Sequence, residues 1–191
     1  MKMIKILALM GKSGAGKDTI QNLLLSRHPK QFHRIVSCTT RPIRENEIDG
    51  IHYKFLTEQE FLDGMMQELF IEALEFNGWF YGSMITSLHK DKINVGIFTP
   101  AGIEALYDTA NAYNLDILPI YIEASDKTRL LRSLNREKNP DVKEICRRYQ
   151  TDEEDFSDLN FNFISFWNDS DRMNKNETER FFLNHCKGIF L

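Results

Sequence analysis

Apolar residues in this chain gather in short continuous runs, and between the runs they fall at helical spacing. The first run, Met3 to Met10 (MIKILALM), reads as a strand buried on both faces. A loop over Gly11 to Asp18 follows, and Thr19 to Arg27 continues as a helix with Ile20, Leu23 and Leu24 apolar. His33 to Ser37 (HRIVS), Asn94 to Phe98 (NVGIF) and Asp116 to Ile122 (DILPIYI) are further strands. A helix lies between the last two and starts near Pro100, whose fixed φ suits a first helical turn. Asp126 to Leu134 is predicted helical, Asn135 to Asp141 a polar loop, and Val142 to Asp155 a charged helix. Phe161 to Phe166 (FNFISF) reads as a last core strand, and Asp171 to Cys186 as a closing amphipathic helix.

Between Cys38 and Ser83 the texture changes to short pieces separated by polar turns. They are a turn at Glu47-Ile48-Asp49-Gly50, a strand Tyr53 to Phe55, and a helix opened by Thr57 with Glu60 three residues on, a capping box. Leu69 to Phe76 and Trp79 to Tyr81 form a hairpin around Asn77-Gly78, and Met84 to Lys92 reads as helical. The pattern predicts an α/β fold, a three-layer αβα core with a parallel sheet, carrying a small and mostly antiparallel insertion. Ligands of such sheets bind at the carboxyl ends of the strands, where Gly11–Asp18, Ser37 and Thr99 all fall.

Composition narrows the class. At 191 residues, with 42% apolar and 27% charged residues, the chain suits one packed domain over residues 1–191. A net charge of −4 excludes a global basic field for nucleic acid. Arginines still cluster at Arg41/Arg44, Arg129/Arg132/Arg136 and Arg147/Arg148, which suits a compact anion better than a polyanion. Cys38, Cys146 and Cys186 give neither a disulfide framework nor metal-ligand spacing, and read as free thiols of a reducing compartment. The opening apolar run is too short for a signal peptide, and no stretch nears the roughly 18–20 apolar residues of a membrane helix. The expectation is a soluble cytoplasmic protein, monomer or homodimer, with no membrane or nucleic-acid partner.

The chemistry starts at Gly11-Lys12-Ser13-Gly14-Ala15-Gly16-Lys17, a G-x-x-x-x-G-K sequence placed after a strand and before a helix. Its glycines let consecutive N–H groups converge on phosphate oxygens, the helix adds its positive end, and Lys17 reaches the outer phosphates. This is an ATP site. Asp18 stands where Ser or Thr usually holds Mg²⁺, with Thr19 next; a carboxylate is also a hard oxygen ligand, so Asp18 is the metal candidate. Asn168, after the last strand, is a candidate adenine contact.

A second site follows in Ser37-Cys-Thr-Thr-Arg41-Pro-Ile-Arg44 and Asp49-Gly-Ile-His-Tyr53, with two arginines whose forks match phosphate geometry. Phe70-Ile71-Glu72 and Tyr81-Gly82-Ser83 add a carboxylate and two hydroxyls. In this order and spacing, from Met3 to about Arg148, these segments resemble the guanylate kinase family. The resemblance implies that Ser37, Arg41, Arg44, Tyr53 and Tyr81 hold the acceptor's phosphate, in a subregion over residues 38–83. It implies that Glu72 and Ser83 read guanine, the carboxylate accepting from N1–H and the exocyclic amine. Arg132, Arg136 and Arg147 match positions of a helical lid over residues 127–149 that act with Lys17 on the transferring group.

The implied reaction moves the terminal phosphoryl group of ATP, with Mg²⁺, onto GMP or dGMP. One departure bears on specificity: the family usually carries acidic residues before the Pro100 helix, where this chain has Ile97 and, on the acceptor side, Thr99. Two alternatives share the pattern, a ribose 1,5-bisphosphate phosphokinase and a guanylate-kinase-like module that binds a protein. Arg129 and Arg148 read as surface partners of acids such as Asp126 and Asp152, and Glu153-Glu154-Asp155 as a solvated helix end.

Overall fold

The computed structural model describes residues 2–44, 47–76, 78–136, 138–169 and 174–190. Along the chain run β1 (Ile4–Met10), α1 (Lys17–Arg27), β2 (Phe32–Arg34), β3 (Cys38–Thr39), β4 (Lys54–Phe55), α2 (Glu58–Met66), β5 (Phe70–Phe76) and β6 (Trp79–Met84). They are followed by β7 (Ile93–Ile97), α3 (Pro100–Tyr113), β8 (Leu115–Glu123), α4 (Asp126–Asn135), α5 (Val142–Asp155), β9 (Ile164–Trp167) and α6 (Lys175–Phe190).

Five strands make a parallel sheet in the order β2-β7-β1-β8-β9. Strand β1 explains why the sheet carries helices on both faces. Its Leu7 and Leu9 pack with Ile20 and Leu24 of α1 and Phe182 and Cys186 of α6. The alternate residues Ile6, Ala8 and Met10 pack with Ile103 and Leu106 of α3. Each such aliphatic side chain contributes about 1.5–3 kcal/mol by leaving water. The central strand is thereby fixed, and the loop after it opens at the sheet's carboxyl edge, between β7 and β8.

The insertion is a second sheet, β4-β3-β6-β5, antiparallel except for the β3–β4 pair. Helix α2 covers it through Phe61, which stacks on Phe70 (4.3 Å) and Phe80 (5.4 Å). The capping box is present: the Thr57 hydroxyl accepts from Glu60 N–H, and the Glu60 carboxylate accepts from Thr57 N–H at 2.7 Å.

Three expectations change. Met84 to Lys92 is not helical: Met84 ends β6, and Ile85–Ser87 form a single 3-10 turn. The buried Asn94 side chain accepts from His89 N–H (2.7 Å) and donates to the carbonyls of Lys5 and His89, satisfying backbone that a helix would otherwise bond. Strand β2 stops at Arg34, because residues 35–37 leave the large sheet: Ile35 N–H still bonds Val95 O, but Ser37 O accepts from Lys54 N–H of the small one. The run Phe161 to Phe166 is core only in part: Phe161, Ile164 and Phe166 are half-buried against the core, whereas Phe163 is exposed, because the strand begins at Ile164 and lies at the sheet's edge. Asn77 and the first turn expected of the closing helix lie outside the described residues.

Candidate active site

The loop after β1 is wedged so tightly that its glycines are obligatory. A Cβ on Gly14 (φ 80°) would sit 2.5 Å from Arg129 O, and one on Gly16 (φ 101°) 2.6 Å from Asn168 Nδ2. Gly16 caps α1, so the helix starts at Lys17, two residues earlier than the periodicity predicts. The Lys17 amine donates to Gly11 O (2.5 Å) and Lys12 O (3.3 Å). Burial lowers its pKa, an effect opposed by Asp18 and Asp152 and reinforced by Arg129 and Arg136. Arg136 therefore lies within electrostatic reach of Lys17. Asp18 and Thr19 are exposed in the first turn of α1, where the Asp18 carboxylate complements the helix's positive end.

Behind the loop, side chains take its carbonyls. Arg132 Nη1 donates to Gly14 O (3.4 Å) and Ala15 O (3.3 Å), and its Nη2 to Asn168 O (2.9 Å). The Asn168 amide is buried and donates to Ala15 O at 2.8 Å, so the structure engages it with the loop and does not leave it open to a base. Arg129 is not a surface residue. It is 2% exposed, bonds Ser13 O (3.0 Å), Asp126 (2.7 Å) and Asp152 (2.9 Å), and lies 4.4 Å over the Tyr149 ring. Asp152 accepts from Ser13 N–H at 2.7 Å, and Glu153 pairs with Lys12 at 2.5 Å, so the acidic end of α5 is docked on the loop.

Arg147 is not brought to the loop: Glu144 takes its fork at 2.7 and 2.9 Å. Helical register is the reason. Asp152 faces the loop, and Arg147, five residues before it, is rotated about 140° away around the helix. Arg148 also bonds Glu144 (2.8 Å), and between them the two arginines hold the Glu144 carboxyl down at about 2.

Opposite the loop, the small sheet assembles the second site. Glu72 and Ser83 are partners across β5–β6, and Ser83 Oγ is 3.0 Å from Ser37 Oγ. Glu72 is buried, which pushes its pKa up to about 7 despite bonds from the Ser83 side chain and backbone. Tyr53 and Tyr81 lie edge to face at 6.1 Å, with the Arg41 guanidinium 5.3 Å from the Tyr53 ring. Burial raises the Tyr53 pKa, with a smaller push from Asp18, so the loop's end lies within electrostatic reach of the cage across the cleft.

Glu47 is a site residue the pattern did not single out. It takes the Arg41 fork at 2.8 and 2.7 Å and accepts from Arg44 N–H at 2.9 Å, and chiefly through Arg41 its carboxyl is held near 2. Arg41 is consequently buried and half-neutralised, whereas Arg44 is exposed. A turn residue six positions from its arginine shows no helical or strand spacing that would have revealed the pair.

The sequence profile of the guanylate kinase family matches residues 3–180. The chain belongs to the guanylate kinase family. Among its curated relatives is the guanylate kinase of Synechococcus sp., 42% identical over 96 residues, which are 50% of this chain and 51% of that protein. That of Nostoc sp. is 32% identical over 157 residues, 79% of this chain and 75% of that protein. The chain thus spans about half the length of the first of these relatives. The crystal structure of guanylate kinase from Anaplasma phagocytophilum has the same fold, with a TM-score of 0.67 over 98% of this chain and 87% of that one, at 19% identity.

Within this guanylate kinase family member, the structure shows what Ile97 and Thr99 do at the end of β7. Ile97 packs against the core on the α1 and α6 side. Thr99 is the N-cap of α3, its hydroxyl accepting from Gly102 N–H at 3.1 Å. Neither side chain offers a carboxylate to a ligand.

Proposed function

We propose that this protein transfers the terminal phosphoryl group of ATP to the phosphate of GMP or dGMP, giving GDP or dGDP. The observation that carries the reading is the buried Glu72–Ser83–Ser37 group beside the Arg41–Tyr53–Tyr81 cage, facing the loop of Lys17 across the cleft. An ionised carboxylate there accepts from two guanine donors at once, and a serine hydroxyl donates to O6. A ribose bisphosphate would leave Glu72 buried without a base to bind. The ordered loop, with its obligatory glycines, favours an enzyme over a protein-binding module.

In the reaction an acceptor phosphate oxygen attacks the γ-phosphorus in line; a P–O bond forms to the acceptor as the bond to the β-phosphate oxygen breaks, and ADP leaves. The acceptor is already ionised near pH 7, so no side chain need remove a proton. Loop amides and Lys17 hold the triphosphate, and Lys17 exchanges its two carbonyl partners for phosphate oxygens as the stronger acceptors. Arg132 and Arg136 stabilise charge on the transferring group, and Arg44 and Arg41 fix the acceptor. Mg²⁺ would supply charge neutralisation at the phosphates; among the described residues no three acids, histidines or cysteines cluster to hold a metal, and the exposed Asp18 carboxylate is the oxygen donor that would contribute. We take residues 1–191 as one such unit, with 38–83 and 127–149 as its closing parts, and its partners as small nucleotides in the cytoplasm. Among the described residues no helix is long and apolar enough to cross a membrane.

The test is ADP release with ATP–Mg²⁺ and, in turn, GMP, dGMP, AMP, UMP, dTMP and ribose 1,5-bisphosphate. GMP and dGMP are expected to stimulate most; equal rates with every acceptor, or none, refute the reading. With one carboxylate reading the base, the GMP preference is expected to be incomplete. Thr99→Asp keeps a good helix cap and adds a carboxylate at the cleft, so it is expected to sharpen that preference about tenfold. An unchanged acceptor ranking would mean that position 99 does not face the base.

A further inference from the structure

A buried arginine is a poor device for stability, because desolvation offsets its ion pairs; two apolar side chains would join α4 to α5 as well. What apolar side chains cannot do is hold peptide groups. Arg129 Nε donates to Ser13 O (3.0 Å), Arg129 Nη2 to Asp152 (2.9 Å), and Asp152 accepts from Ser13 N–H (2.7 Å) and from its hydroxyl (3.3 Å). These bonds close a ring in which one residue of the phosphate loop is gripped by both its carbonyl and its amide.

The geometry of a trans peptide gives this grip a direction. The Ser13 carbonyl and the Gly14 N–H belong to one planar unit and point opposite ways. Holding the carbonyl towards Arg129, behind the loop, therefore turns the Gly14 N–H towards the cleft. Arg132 and Asn168 act in the same sense on the carbonyls of Gly14 and Ala15. The clamp is seated from several sides: Asp126 bonds Arg129 from α4, the Tyr149 ring covers it from α5, and Glu153 ties Lys12 to the same helix.

We propose that Arg129 and Asp152 are positioning residues for the triphosphate: a charged clamp by which helices α4 and α5 set the direction of the loop's amides. Neither reacts with substrate. The inference rests on the reading of the loop as the ATP site, and does not depend on which acceptor the protein uses. Undoing the clamp should free the peptide between residues 13 and 14 to rotate, so the amides would have to be ordered again when the triphosphate binds.

The experiment is calorimetric binding of a non-hydrolysable ATP analogue with Mg²⁺ to the wild-type chain, to Arg129→Met, to Asp152→Asn and to the double variant. Steady-state kinetics with ATP and GMP and a melting curve for each accompany it. Arg129→Met is expected to weaken the analogue about tenfold, and Asp152→Asn, which keeps shape but not charge, about threefold. The double variant should be no more than about twofold worse than Arg129→Met, because the two residues act as a unit. KM for ATP should rise in parallel, with KM for GMP changed by less than about twofold. Unaltered affinity for the analogue in folded variants, equal losses for both nucleotides, or strictly additive effects would overturn the proposal. Asp152→Asn keeps the test decisive if Arg129→Met fails to fold. Analogue binding needs no acceptor, so a protein that binds it but does not phosphorylate GMP would refute the proposed function and leave the clamp's test intact.

Discussion

Replacing Lys17 by alanine is expected to lower phosphoryl transfer by about 10³-fold or more while the fold survives. The amine lies inside the phosphate loop, bonded to Gly11 O and Lys12 O, with α1 starting at its own residue. The other lysine of the loop, Lys12, is engaged with Glu153. Burial lowers the pKa of Lys17, so the folded chain holds this cation at a cost, and removing it relieves that cost. The melting temperature of Lys17→Ala should therefore equal or exceed that of the wild type. A variant that keeps its transfer rate would refute the loop as the catalytic site. One that unfolds would instead show that the lysine is structural.

Glu72→Gln is expected to trade recognition for stability. Guanine's N1–H and amine both donate to the carboxylate, and charge-assisted bonds are worth about 1.5–3 kcal/mol each, so kcat/KM for GMP should fall about 10²–10⁴-fold. The stability effect has the opposite sign. The Glu72 pKa is raised from 4.5 to about 7, so within that window the folded chain holds a proton that the unfolded chain has released. Its contribution to stability is present below about pH 4.5, declines as pH rises, and is lost above about pH 7, a change of at most about 3 kcal/mol. Glutamine is neutral throughout. The variant should thus melt several degrees higher than the wild type at pH 8 and nearly with it at pH 5. In the wild type, kcat/KM for GMP should decline below about pH 7 as the carboxyl becomes protonated. Identical melting curves at pH 8 would show that Glu72 is solvated in the free protein.

Much of this was legible before the fold was known, for identifiable reasons. Strands β1, β7 and β8 are continuous apolar runs, and the glycine loop sits between a run and a helix, so local pattern and tertiary role coincide. The pairing of Glu72 with Ser83 and the approach of Tyr53 to Tyr81 were implied only by resemblance, and the register of β5 on β6 accounts for the first. Legibility ended where a polar side chain is used unexpectedly. Arg129 and Asp126 look like an exposed i,i+3 pair, yet the arginine is buried because the loop's carbonyl lies beneath it. Asn94 holds the chain out of a helix from the far side of the turn, beyond the reach of any window centred on Met84 to Lys92. Arg147 and Arg148 are neighbours of identical chemistry, and Glu144, three and four residues before them, holds both guanidinium groups, which the motif alone does not reveal.

The central claim is that two nucleotides meet in this cleft, a triphosphate on the loop and a guanine nucleotide on the small sheet. A crystal grown with GMP and a non-hydrolysable ATP analogue tests it most directly. The account predicts analogue phosphates on the amides of residues 14–19 and guanine donating to Glu72, with the GMP phosphate held by Arg44, Tyr53 and Tyr81 and by Arg41 turned from Glu47. Arg41 still locked on Glu47, with GMP bound elsewhere or absent while the analogue occupies the loop, would contradict it.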